Sequence, residues 1–160
     1  MRMRKVCRYL CFASGVLFLL TPALVLLGLI KTAFPNGEWL SVDPLKVLFG
    51  GSEQIANEGN VYSFTYRLNP FYIALISVSF VAGLASFFGL DCRKNLIFSL
   101  IAGFFALALS AMGVLTFHWM NPGFPLDGIR GGVGFVLSIC SASLGIILLI
   151  PSIVFAQNKK

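Results

Sequence analysis

Few residues in this 160-residue chain are equipped for chemistry. His118 is the single histidine, and Asp127 follows it in the stretch HWMNPGFPLDGIRGG. A carboxylate that orients an imidazole is part of a nucleophilic apparatus, but no activated hydroxyl or thiol accompanies this pair in an identifiable motif. A membrane enzyme using His118 and Asp127, which would lose activity on His118→Ala, therefore ranks last among the readings. His118 before Trp119 reads as an amphipathic belt residue, and Asp127 with Arg130 as a loop ion pair of little energetic weight. The sequence contains no Walker loop, H-E-x-x-H, G-x-S-x-G, G-x-G-x-x-G or Asn-x-Ser/Thr, and the expectation is a protein without catalytic residues.

The four cysteines are Cys7, Cys11, Cys92 and Cys140. There is no C-x-x-C, which argues against membrane thiol oxidoreductases that pass electrons to quinones. Cys7-x-x-x-Cys11 puts two thiols on one helix face, without the further ligands a metal needs. Neither a metal nor another cofactor is expected. Cys7, Cys11 or Cys92 would be acylation sites in a eukaryotic host, free reduced thiols being the plainer reading.

The elements around these residues are unusually apolar. The chain is 58% hydrophobic and 11% charged, with a mean hydropathy of +0.88, far from the surface a soluble domain of this length requires. Four apolar runs, about 9–30, 71–90, 96–117 and 133–156, each reach about 30 Å at about 1.5 Å per residue. None contains Asp, Glu, Lys, Arg or His. Residues 1–160 thus read as a single all-α integral membrane domain, a bundle of four transmembrane helices. The first run follows the basic MRMRKVCR, but it exceeds a signal peptide's apolar core and no clear A-x-A site follows, so a retained helix is expected. Pro22 and Pro151 are expected to bend the first and fourth spans. Proton relays, coupled carriers and voltage sensors normally carry an intramembrane ionisable group, and these runs have none.

The net charge of +6 does not point to nucleic acid, because the basic residues cluster at the edges of apolar runs. Arg2, Arg4, Lys5, Arg8, Arg93, Lys94, Lys159 and Lys160 fall on one side of an even number of spans. Lys31, Lys46, Arg67 and Arg130, with five of the six acids, fall on the other. Both termini should face the cytoplasm, in a plasma or cytoplasmic membrane, and residues 31–70 should form an exoplasmic loop.

Within that loop, VYSFTYRL alternates with period two, placing Tyr62, Phe64, Tyr66 and Leu68 on one face of a strand at about 61–68. A shorter strand is expected at about 45–49, from LKVLFGG, with GGSEQIANEGN as the connection of a small β-hairpin. Its aromatic face needs cover, for which Phe34, Trp39, Trp119 and Phe124 are candidates. Either the sheet caps the bundle, or part of the face or an open strand edge docks another protein. Trp39, Tyr62, Phe64, Tyr66 and Leu68 are the candidate partner-binding residues.

Small residues recur at four-residue spacing in three spans. Ser79 and Gly83, Ala82 and Ser86, and Ala85 and Gly89 do so in the second, Ser99 and Gly103 with Ala102, Ala106 and Ser110 in the third, and Gly134, Ser138 and Ala142 with Ser141 and Gly145 in the fourth. Such spacing permits close helix packing. Gly83, Ser86, Gly89, Gly103, Ala106, Gly134, Ser138 and Gly145 are the predicted helix-packing positions.

In plan the chain resembles the claudin-type tetraspans: four spans, cytoplasmic termini, a β-forming first outer loop and a short second one. The resemblance implies architecture and no more, since Trp39 stands without the two cysteines of that family's first-loop motif. The leading expectation is a non-enzymatic accessory or assembly subunit whose partners are the lipid bilayer and another membrane protein or a second copy. The rival is a small transporter or oligomeric channel lined by Ser77, Ser79, Ser99, Ser110, Ser138 and Ser141.

Overall fold

A computed structural model describes residues 2–28, 30–33, 37–57, 60–89, 93–124 and 126–157. Phe34, Glu58, Leu90, Cys92, Lys159 and Lys160, which bear on the expectations above, lie outside them. Helix α1 (Arg2–Val25) leads into strands β1 (Ile30–Ala33) and β2 (Trp39–Ser41), a short helix α2 (Pro44–Phe49), and strands β3 (Gly51–Asn57) and β4 (Asn60–Tyr66). Then come α3 (Pro70–Phe87), α4 (Arg93–Ala111), α5 (Gly113–Met120), a 3-10 turn at Leu126–Gly128, β5 (Ile129–Gly131) and α6 (Val133–Gln157).

Four helices are long and apolar enough to cross a membrane, over Lys5–Val25, Pro70–Phe87, Arg93–Ala111 and Val133–Phe155. α1 packs on α3 and α6, and α4 packs on the same two, so the four close into a ring in which every neighbour runs antiparallel. Outward faces carry large exposed apolar side chains, among them Phe80, Phe98, Phe104 and Ile147. Such a surface suits hydrocarbon rather than water.

Phe18 of α1 fills the middle of the ring and is wholly buried. It fits because two facing positions lack side chains. A Cβ on Gly103 would stand 2.6 Å from its ring, and one on Gly145 would stand 2.9 Å from it. Gly83 makes the same allowance for Leu19, and Gly134 for the Leu24 carbonyl. The helices are also strapped by hydroxyls donating to neighbouring backbones. Ser14 donates to the Gly145 carbonyl at 2.7 Å, Ser86 to Cys11 at 2.8 Å, Ser99 to Ala82 at 2.7 Å and Ser141 to Leu17 at 2.7 Å. Bonds of this kind average about 0.6 kcal/mol in membrane bundles.

The helix boundaries depart from the apolar runs in two places. The first helix stops at Val25, and Ile30, expected to end it, opens β1 instead. The expected third span, 96–117, divides into α4 and α5 at Met112. There the Gly113 carbonyl accepts from the Tyr72 hydroxyl at 2.6 Å and from Thr116 at 3.0 Å. Tyr72 of α3 and Thr116 thus both donate to the first carbonyl of α5. Pro22 and Pro151 lie inside continuous helices.

The loop end also corrects one expectation. Residues 45–49 are helical, not a strand. Asp43 caps the turn by accepting from the Leu45 amide at 2.9 Å, Pro44 presets φ at the first helical position, and Gly50 ends it at φ 78°. Cap, Pro and Gly together outweigh the alternation of Leu45, Val47 and Phe49. The polar stretch expected as the connection supplies the second strand, β3. It pairs with β4 in seven antiparallel steps, from Gly51 with Tyr66 to Asn57 with Asn60. A second sheet, in the order β2-β1-β5, was not foreseen. It joins the first loop to the last, with Lys31 opposite Ser41 on one side and Arg130 on the other.

Candidate functional site

The loops after α1 and α5 meet at one end of the bundle and build a cap. Its interior is an aromatic stack. Strand alternation turns Phe64 and Tyr66 to the same side of β4, and Phe124 of the second loop lies against both, at ring distances of 5.7 and 5.6 Å. Phe117 of α5 closes the stack, 6.1 Å from Tyr66 and 5.8 Å from Phe124. Rings at these separations attract beyond the area they bury, by about 0.5–1.5 kcal/mol a pair. The cap reading of the aromatic face therefore has a definite geometry, with Phe124 as the cover.

Two asparagines fix the cap to the helices. Asn121, 4% exposed, accepts from the Arg67 amide at 2.8 Å and donates to the Phe117 carbonyl at 3.1 Å. Asn69, wholly buried, caps α3 by accepting from the Phe71 amide at 3.1 Å, ahead of Pro70 at the first helical position. The signal for Asn69 was present in the sequence as Asn-Pro before an apolar run. Asn121 also precedes a Pro, but its partner at Arg67 is too distant in sequence to be foreseen.

The candidate partner-binding residues separate by exposure. Tyr66 is 3% exposed and Phe64 is packed against the core. Tyr62 is half-buried, while Leu68 is exposed. Trp39 is half-buried, with the Arg130 guanidinium 4.1 Å above its ring. That cation–π contact, worth about 0.5–2 kcal/mol, engages the arginine assigned above to Asp127. The exposed face of β4 carries Val61, Ser63 and Thr65 instead, with Arg67 exposed just beyond its end.

Of the helix-packing positions, Gly83, Gly103, Gly134 and Gly145 stand at interhelical contacts. Gly89 faces Leu96 across the α3–α4 connection, Ser86 makes an interhelical bond, and Ala106 is wholly buried. Ser138 is buried but donates within its own helix, to Phe135. Among the proposed lining serines, Ser99 and Ser141 are spent on neighbouring helices and Ser77 on the Ile73 carbonyl. Ser79 and Ser110 are buried with hydroxyls that no described group accepts or donates to. A groove of about 280 Å³ opens on the outside of α3 and α4, with an apolar lining that includes Val78, Val81, Phe98, Ile101 and Phe105.

His118 and Asp127 share no hydrogen bond or ion pair among the described residues. The imidazole points Nδ1 at the Phe124 carbonyl, 2.8 Å away. A carbonyl only accepts, so Nδ1 carries the proton. Cys7 and Cys11 are buried and Cys140 is exposed. No group of three or more His, Cys, Asp or Glu is placed to hold a metal ion among the described residues.

Glu53 is a half-buried carboxylate of the cap. Its Oε1 lies 3.7 Å from Lys46 Nζ, while its Oε2 and the Tyr66 hydroxyl are buried without hydrogen-bond partners among the described residues. Burial, helped by the nearby Glu53 carboxylate, raises the Tyr66 pKa above the usual phenol range.

Searches against protein-family models, curated proteins and solved structures find no match to this chain.

Proposed function

We propose that the chain is a non-enzymatic multi-pass membrane interaction protein, an accessory or assembly subunit that recognises a partner through its first outer loop. In this reading the four apolar helices cross the plasma or cytoplasmic membrane, both termini are cytoplasmic and the cap is exoplasmic. The observation that carries the recognition role is the β3–β4 sheet, which has two strands among the described residues. Seven-residue β3 pairs on one side with β4, which leaves its other edge as a template for an extended segment of a partner. The packing of Phe64 and Tyr66 moves recognition from the aromatic face to this edge and to the exposed residues beside it.

The test is isolation from the native membrane in mild detergent, followed by mass spectrometry of what accompanies the protein. A stoichiometric membrane partner is expected, with amide exchange of residues 52–56 slowed in the complex relative to the isolated chain. Unchanged exchange there would remove β3 as the reader, and a clean homo-oligomer would shift the function toward solute passage. No observation favours the transporter or channel reading now.

A further inference from the structure

Outside the long helices, three large apolar side chains stand exposed together: Leu45 at 55% and Phe49 at 63%, both on α2, and Leu68 at 47%. The opposite side of α2, Val47 and Leu48, is buried in the core. Lys46, its one charged residue, is turned to Glu53. A helix apolar on both sides does not end in water.

The height of this shelf follows from its backbone. The Leu48 carbonyl accepts from the Asn69 amide at 3.3 Å, and a Cβ on Gly50 would lie 2.8 Å from the Leu68 nitrogen. The end of α2 is therefore level with the first turn of α3. Phe71 of that turn packs edge-on against exposed Trp119, with ring centroids 6.4 Å apart, and Trp is the residue favoured at a membrane–water boundary. α3 has 18 residues, about 27 Å of helix. A hydrocarbon core is about 30 Å thick, so α3 has no length to spare and its first turn must stand at the boundary.

We propose that Leu45, Phe49 and Leu68 seat in the phospholipid headgroup layer of the outer leaflet, making α2 an interfacial anchor that fixes the depth of the cap. This rests on the membrane reading given under the proposed function. Lys46 is neutralised by its partner, so uncharged zwitterionic bilayers suffice as the surface.

The experiment places a single tryptophan in a Trp39→Phe, Trp119→Phe background, reconstituted in phosphatidylcholine vesicles brominated either near the headgroup or deep in the chain. Phe49→Trp should lose more emission to the shallow bromines than to the deep ones, and little to aqueous iodide. Phe104→Trp, exposed on the middle of α4, should lose most to the deep bromines. Quenching of Phe49→Trp by iodide but not by bromolipid would overturn the anchor, as would shielding from both, which would mean a protein covers the shelf. Loss of lipid quenching at Phe104→Trp as well would bring down the membrane reading and the anchor with it. Should Phe49→Trp disturb folding, Leu45→Trp gives the same readout.

Discussion

At the scale of single residues, one tight constraint in the bundle is the absence of two side chains beside Phe18. Gly103→Ala pushes a methyl to within 2.6 Å of that ring, so it should destabilise by about 1–3 kcal/mol. Thermal unfolding in detergent would show it, with partial recovery in Gly103→Ala/Phe18→Leu. Tyr66 makes the opposite case, because its hydroxyl is buried without a partner. Tyr66→Phe should leave stability unchanged or raise it by up to about 1–3 kcal/mol, the usual cost of an unsatisfied buried group. The same hydroxyl sets a pH dependence. The unfolded chain releases this proton near pH 10, whereas the folded protein holds it more tightly. Its contribution is complete below about pH 10 and is lost as pH rises further, because the folded state then binds more protons. Denaturation followed from pH 8 to 11 should show a decline that Tyr66→Phe reduces.

At the scale of elements, what could be read from the chain was what repeats over many residues. The four long helices announce themselves as apolar runs without a charge, and β4 as a strict alternation whose inward members, Phe64 and Tyr66, are the packed ones. Short elements carry too few residues for a period to emerge: β2 and β5 have three residues each and β1 has four. The pairing of β5 depends on a strand far along the chain, as does the contact of Arg130 with Trp39. The mistaken strand at 45–49 shows alternation losing to end signals, since Asp43, Pro44 and Gly50 bracket the segment as one helical turn and a half. Those signals should be energetically visible. Asn69→Ala removes the cap of α3 and should cost about 1 kcal/mol, while Gly50→Ala forces a left-handed residue against the backbone at Leu68. Gly50→Ala should cost the cap more than Gly123→Ala, where a Cβ meets nothing within 4 Å. Amide exchange across β3 and β4 would compare them.

At the scale of the whole molecule, the antiparallel ring brings the start of α1 and the end of α6 to the end opposite the cap, where Lys5, Arg8, Arg93 and Lys94 are exposed. If that end is cytoplasmic, epitope tags on either terminus should be detected only after cells are permeabilised. A tag inserted at Gly123 should be detected on intact cells. Detection of a terminal tag without permeabilisation would reverse the orientation. The three-stranded sheet adds something about time rather than place. Ile30 pairs with Gly131, so β1 cannot acquire its second neighbour until about a hundred further residues have been synthesised. At about 5–20 residues per second on the ribosome, that strand waits roughly 5–20 s with one side bare, while three of the four long helices have already been made. The last loop therefore acts as a clasp on a nascent chain: until it arrives β1 has one unpaired edge, and afterwards that edge is closed by β5.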